Sequence, residues 1–431
     1  MPDGSATAHL YQPKLATILR EGYGVEAFRK DALAAITVAI IALPLSMAIA
    51  VASGVSPDRG LVAAIVGGFI VSALGGSRYQ IGGPAGAFIV LVSATVGRFG
   101  VPGLLVTVLI SGLMLIVLGA LRLGSLVRHI PHAVTVGFTC GVALTIAASQ
   151  LKDLGGLVLQ GAEPGRVMPK LAALAHALPT LSPATAAIGL GSAALIFVLK
   201  RLRPTWPGMV IAVIAATLWV LILRLPVETV AMRFGALPHG LSRPHIPPMS
   251  MGLILQLLPT ALSFTLLGAI ESLLSATVAD GMTARRHRSN MELVAQGVAN
   301  VASALFGGVS VTGTIARTAT NIRAGARTPI AGMLHALFLL MFLILAASLV
   351  GFVPLAALAG VLLAVCWNMA EKAEFVRLLG HWSSATVLLV TFGLTIVLDL
   401  TTGIIAGSIA AALLQLVRRH LLVKGSKTEF P

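Results

Sequence analysis

Charge-free runs long enough to cross a bilayer recur along this chain, and no other feature constrains its fold as tightly. They are Ala32–Pro57, Gly60–Ser77, Tyr79–Gly97, Phe99–Leu121, His129–Leu151, Leu171–Leu199, Pro204–Leu223, Pro244–Ile270, Leu293–Ala316, Thr328–Ala370, Leu378–Leu398 and Leu400–Val417. A spanning helix needs about 20 apolar residues. In lipid every backbone polar group must be satisfied internally, so runs of this length select helices. The run Thr328–Ala370 is long enough for two, split near Gly351-Phe352-Val353-Pro354. The run Leu293–Ala316 holds one span and the start of another. The expected fold is therefore an all-α membrane protein with about fourteen transmembrane segments, several short or broken.

A net charge of +15 would suit a nucleic-acid binder, but only 10% of the residues are charged and 57% are hydrophobic. With an inside N-terminus and every run crossing, most of the 30 Lys and Arg fall in inside segments. That asymmetry is the positive-inside rule, and it predicts an integral membrane protein with both termini cytoplasmic. Anionic lipid is partner enough for the basic loops, and no nucleic acid is implied. The first thirty residues lack a cleavable apolar region, and Leu15–Phe28 could lie as a short interfacial helix. Cys140 and Cys366 sit inside apolar spans and read as packing residues.

Two glycine-rich breaks, Gly82-Gly83-Pro84-Ala85-Gly86 and Gly307-Gly308-Val309-Ser310-Val311-Thr312-Gly313, interrupt hydrophobic stretches at corresponding places in the two halves. The halves run over 31–225 and 254–420, between a cytoplasmic segment 1–30, a proline-rich connector 226–253 and a tail 421–431. Seven spans per half would insert the second upside down, giving two inverted repeats of seven. Matched broken segments in such repeats point to a binding site at the bilayer midplane. A helix that restarts there offers free N–H groups and a partial positive charge to an anion. Pro84, Ala85 and Gly86 can open one half-helix, since proline suits a first turn. Thr312, Gly313 and Thr314 can open the other, with Arg317 one turn on. Close packing through small residues is the alternative for such glycines, and it is the reading given to Gly67-Gly68 and Gly75-Gly76.

Glu271 is the acidic residue placed well inside a span, and Ser275 shares its helical face. An intramembrane carboxylate is costly and marks a pathway by default; a structural ion pair with Arg317 is the alternative. Pro44 either kinks the first span to open a cavity or is tolerated there. Asp399 reads as an interfacial turn residue and His335 as a packed neutral histidine. Nothing resembles a phosphate-binding loop, a metal cluster or a nucleophile–base constellation, so neither an enzyme nor a cofactor is expected.

The stretch Ile41–Ala50, with Gln80-Ile81-Gly82-Gly83-Pro84-Ala85-Gly86, Phe306-Gly307-Gly308 through Arg317-Thr318, Asn321–Pro329 and Val136–Gly141, resembles the SulP sulfate-permease family. The resemblance implies a core domain (spans 1–4 and 8–11) moving against a gate domain (spans 5–7 and 12–14). Substrate would sit between the half-helices of segments 3 and 10, at Pro44, Leu45, Ile49, Pro84, Ala85, Gly86, Gly313, Thr314, Ile315, Ala316 and Arg317. Glu271 and Ser275 match the cation-site positions of sodium-coupled bicarbonate members, where an Asp and a Thr stand. Ile315 replaces a hydroxyl-bearing residue, and with the longer Glu this favours a proton over sodium as coupling ion. The resemblance also implies a bacterial plasma membrane and a small inorganic anion, sulfate or bicarbonate-like, as partner. Family members usually carry a STAS domain, which Leu421–Pro431 is too short to form. A homodimer remains open, without the STAS-assisted contact. An anion channel, a sodium-coupled bicarbonate symporter and a dicarboxylate or nucleobase permease are the alternatives.

Overall fold

The computed structural model describes residues 11–124, 131–161, 163–164, 166–204, 206–398 and 400–425. Asp399, residues 1–10 of the N-terminal segment and residues 426–431 of the tail lie outside them. A short helix α1 (Lys14–Glu21) precedes α2 (Val25–Ala52), which runs without interruption through Pro44. The interfacial helix expected over Leu15–Phe28 is thus split: Gly22, at φ 93°, ends α1, and Val25 already belongs to the first span. Next come α3 (Pro57–Leu74), with a π-helical turn at Ala63–Gly67, the two-residue strand β1 (Gly82–Gly83) and α4 (Ile89–Ala120). Gly100, at φ 67°, breaks α4 into two arms. A left-handed residue cannot continue a helix, and glycine occupies that region at no steric cost.

After α5 (His132–Gly155), the run expected as one span over Leu171–Leu199 is two helices, α6 (Val167–Ala177) and α7 (Pro183–Leu202). The divide has a local cause: Pro183 opens α7 and the Ser182 hydroxyl accepts from the Thr185 N–H at 3.3 Å. Proline at the first turn and serine at the cap start a helix, and charge counting does not register them. Helix α8 (Gly208–Leu223) and the one-turn α9 (Val230–Phe234) lead through the connector. The second half holds α10 (Met251–Thr283), α11 (Ser289–Leu305), the strand β2 (Thr312–Gly313), α12 (Ile315–Arg323), α13 (Ile330–Val350) and α14 (Leu355–Met369). The short α15 (Lys372–Leu379), α16 (Trp382–Val397) and α17 (Leu400–Gly425) complete it. Among the described residues the apolar segments before the connector are α2, α3, both arms of α4, α5, α7 and α8. After it they are α10 to α14, α16 and α17.

The chain forms two compact units. One comprises Met1–Arg128, Gln150–Val158 and Leu178–Ala364. Its tightest seam joins α4 to α11, where Gly112 and Gly297 each lie against the other's carbonyl, leaving no room for a Cβ. Small residues let membrane helices approach this closely. It also includes α7, α8 and the start of α14, joined by Ile188, Ala216, Val220 and Ala356. These segments were expected in the gate, so the compact unit is wider than the expected core. The other unit comprises His129–Ser149, Leu159–Ala177 and Val365–Pro431. There Gly137 and Gly141 of α5 lie against Thr391 and Thr395 of α16, and Phe375 meets Phe392 edge-on at 5.3 Å. Cys140 and Cys366 are buried and unpaired.

Candidate functional site

The two glycine breaks meet. β1 and β2 pair antiparallel, Gly82 opposite Gly313 and Gly83 opposite Thr312. The Thr314 N–H and hydroxyl both donate to the Ile81 carbonyl, at 3.1 and 3.2 Å. Each strand leads directly into a helix start. A single 3-10 turn, Gly86–Phe88, opens the arm toward α4 behind an extended Ala85 (φ −116°, ψ 144°). Helix α12 starts behind an extended Thr314 (φ −112°, ψ 122°). Neither start has a side-chain cap among the described residues. Ala85 has no side chain able to cap, and the Thr314 hydroxyl is occupied by Ile81. The first-turn N–H groups that a cap would satisfy are therefore left for another acceptor.

Arg317 stands in the first turn of α12 and is 2% exposed. One guanidinium nitrogen, Nη2, donates to the Ser46 hydroxyl at 3.1 Å and to the Pro84 carbonyl at 3.3 Å. The guanidinium is thereby tied to the first span and to the first break. Its Nε and Nη1 have no partner among the described residues, and Nη1 lies where a Cβ on Gly83 would be. A side chain at 83 would have to displace that end of the guanidinium. A buried guanidinium with unused donors between two uncapped helix starts is an arrangement that accepts an oxyanion.

Hydroxyls and amides hold the frame. On α10, Ser272 meets Thr312 at 2.7 Å and accepts from the Gly313 N–H at 3.3 Å. The Ser275 hydroxyl donates to Thr318 at 3.2 Å, and Thr318 accepts the Ile81 N–H at 3.1 Å. Gln80 donates to the Ser272 carbonyl at 3.2 Å, and its amide fills the space a Cβ on Gly313 would need. On α11, Glu292, Gln296, Asn300 and Ser303 form a buried stripe at helical spacing. Glu292 accepts from the Gly76 and Ser77 N–H groups at 2.9 and 3.1 Å and from Gln296 at 3.0 Å. Asn300 brackets Val311, and Ser303 donates to the Val309 carbonyl at 2.7 Å. These side chains satisfy backbone that left regular structure at the breaks, as low dielectric requires.

Of the residues expected at the site, Pro84, Gly313, Thr314 and Arg317 are joined directly by these contacts. Pro44, Leu45 and Ile49 are buried on α2 beside Ser46, while Ile315 is half-buried and Ala316 exposed. Glu271 is half-buried, with no hydrogen bond or ion pair among the described residues. The ion pair weighed between Glu271 and Arg317 is absent there: Arg317 turns instead to Ser46 and Pro84. Nor is Glu271 the single deeply placed acid. Glu292 and Asp31 are both fully buried, Asp31 accepting from the backbone N–H groups of Arg327 and Thr328 at 2.6 and 3.1 Å. Both were placed at span edges because their runs were counted from the first uncharged residue. The four-residue polar spacing on α11 was the signal that Glu292 belongs inside. Ser46, Gln80 and Thr318 carry no charge, and only the fold reveals their role.

The family model of the sulfate permease family matches residues 28–392. The chain belongs to that family. A "Putative sulfate transporter YvdB" of Bacillus subtilis is 37% identical over 91% of this chain and 74% of its own length. The bicarbonate transporter BicA of a Picosynechococcus strain is 31% identical over 90% of this chain and 70% of its own. The solved transmembrane domain of a cyanobacterial BicA superposes with a TM-score of 0.80 at 28% identity, over 90% of this chain and 98% of that domain. The protein is thus an integral membrane protein of a sulfate and bicarbonate transporter family, with the multi-span fold of its relatives.

Proposed function

We propose that this chain is a secondary-active carrier of a small inorganic anion, sulfate or bicarbonate-like, coupled to protons through Glu271. The observation that carries the reading is Arg317: buried, with Nε and Nη1 unused, between two helix starts that lack side-chain caps. The anion would lie against the N–H groups after Ala85 and Thr314, with Pro44, Leu45, Ile49, Pro84, Gly86, Ile315 and Ala316 around it. Two helix starts and one guanidinium together offer about two positive charges, which suits an oxyanion. The relatives' names, sulfate in one case and bicarbonate in another, support the same substrate class.

Glu271 supports the coupling. A half-buried carboxylate without a partner is costly when ionised and ready to take a proton. The neighbouring Ser275 hydroxyl gives its proton to Thr318, so it does not donate to Glu271 and leaves the ionised carboxylate unsupported. An ionised Glu271 repels the anion, so protonation and anion binding favour each other by the same factor. The paired breaks would then move together as one body in an elevator-type cycle within the bacterial plasma membrane, both termini facing the cytoplasm.

Uptake into proteoliposomes, for sulfate and bicarbonate, under imposed proton or sodium gradients, tests the reading. Wild-type protein should concentrate anion on an inward proton gradient, and Glu271→Gln should exchange anion yet ignore that gradient. Gradient-driven accumulation by Glu271→Gln equal to wild type removes Glu271 from the coupling role. Flux that follows voltage alone, without saturation or counterflow, replaces the carrier with a channel.

A further inference from the structure

At the end of the bundle expected to face the cytoplasm, three cations converge on one turn. The Lys14 N–H donates to the Gly75 carbonyl and the Arg288 N–H to the Gly76 carbonyl, each at 3.0 Å. Arg78 follows two residues later, so Lys14, Arg78 and Arg288 come from three separate segments to the same few residues. Burial, then the charges of Arg288 and Arg78, hold the Lys14 ammonium below the usual lysine range. Burial and the charge of Arg78 likewise lower Arg288.

The nearby carboxylates are already engaged. Glu21 pairs with Arg78 at 2.8 Å, and Asp280 holds the His287 ring at 2.7 Å. Glu292 is spent on the Gly76 and Ser77 amides. Arg288 gives Nη1 to the Gln12 carbonyl and the Thr17 hydroxyl, at 2.6 and 3.1 Å, which fixes its plane. The Lys14 ammonium has no partner among the described residues. Exposed Arg285 and Arg286 stand three and two residues before Arg288 in the chain. Repelling cations held together, one of them unpaired, are what a multiply accepting anion relieves.

The surroundings say which anion. Leu19 is 60% and Val25 85% exposed, and Phe28 is exposed as well, on the helices that follow Lys14. Apolar and cationic side chains interleaved at a helix end mark the headgroup level of a bilayer. We infer that Lys14, Arg78 and Arg288 form a binding site for the phosphate of an anionic phospholipid, separate from the transport site and fastening α1 to the end of α3. One lipid phosphate would accept from Lys14 Nζ and the free side of Arg288, its chains lying over Leu19 and Val25.

The test uses the full chain, taken from vesicles of equal phosphatidylglycerol and phosphatidylcholine and examined by native mass spectrometry for retained lipid. Wild type should keep phosphatidylglycerol over phosphatidylcholine by about tenfold, and Lys14→Gln and Arg288→Gln should each cut that preference about fivefold. Arg20→Gln, which removes an exposed charge outside the cluster, should leave it unchanged. Lys14→Arg and Arg288→Lys keep the charge and should keep the preference, which guards against misfolding of the neutral variants. An equal fall in Arg20→Gln, or wild-type retention in both neutral variants, overturns the site. Loss in the charge-keeping variants overturns it too. Displacement of the lipid by equimolar glycerol phosphate overturns the lipid as ligand and leaves a free phosphate.

Discussion

Glu271 and Glu292 are carboxylates on successive helices, and the structure treats them oppositely. Glu292 on α11 is fully buried, with three donors on its two oxygens. Glu271 on α10 is half-buried and has none among the described residues. The first is consumed in closing the end of α3, where Gly76 and Ser77 leave the helix. The second is left able to change its charge. Acidity within a membrane segment is therefore not enough to assign a role; what separates a structural carboxylate from a transport candidate is whether its lone pairs are already spent.

The sharpest way to break this contrast is Glu292→Ala. It strands two buried backbone N–H groups and the Gln296 amide, and should cost about 3–5 kcal/mol. Detergent-phase denaturation of the purified protein measures it, and a loss under 1 kcal/mol would mean that the α11 stripe does not hold the turn. Arg317→Ala should come next, acting on binding rather than stability. Losing charge-assisted hydrogen bonds to an anion costs about 2 kcal/mol, on the order of thirtyfold in affinity. Wild-type affinity in a titration with sulfate or bicarbonate would return Arg317 to a purely structural place.

Smaller effects sharpen the picture. Ser46→Ala removes the side-chain acceptor of Arg317 while the Pro84 carbonyl remains, so anion affinity should fall by about fivefold, near 1 kcal/mol. No change would show that α2 does not position the guanidinium. Glu271→Gln should have the least effect on stability, within about 0.5 kcal/mol, because no bond is lost. Its signature is in pH. Wild-type uptake should decline as rising pH strips the proton from Glu271, while the variant, permanently neutral, should show a flat profile. A variant that melts far below wild type would reveal a hidden partner for Glu271.

Much of this architecture was legible in the chain. Charge-free runs located most helices, and the split of Thr328–Ala370 falls where α13 ends and α14 begins. The matched glycine breaks identified both half-helix starts, because glycine and proline act locally. What stayed hidden was non-local or uncharged. The cap at Ser182 and Pro183 divides α6 from α7 without any charge to mark it. Glu292 stands just before a charge-free run, and only the fold brings the Gly76 and Ser77 amides onto it. The hold of Ser46 on Arg317 joins residues far apart in sequence, through a hydroxyl indistinguishable in the chain from any packing serine.

The pairing of β1 with β2 has a consequence for how such a chain can diverge. The strands pair main chain to main chain, and just beyond them the Thr314 N–H bonds the Ile81 carbonyl, so part of what joins the two breaks is indifferent to side-chain identity. Side chains at 84–88, 315 and 316 make none of these bonds and can be exchanged over generations without parting the halves, whereas Thr314 and Arg317 reach across to Ile81 and Pro84. Selectivity for one anion over another is thereby free to drift on a frame inherited unchanged.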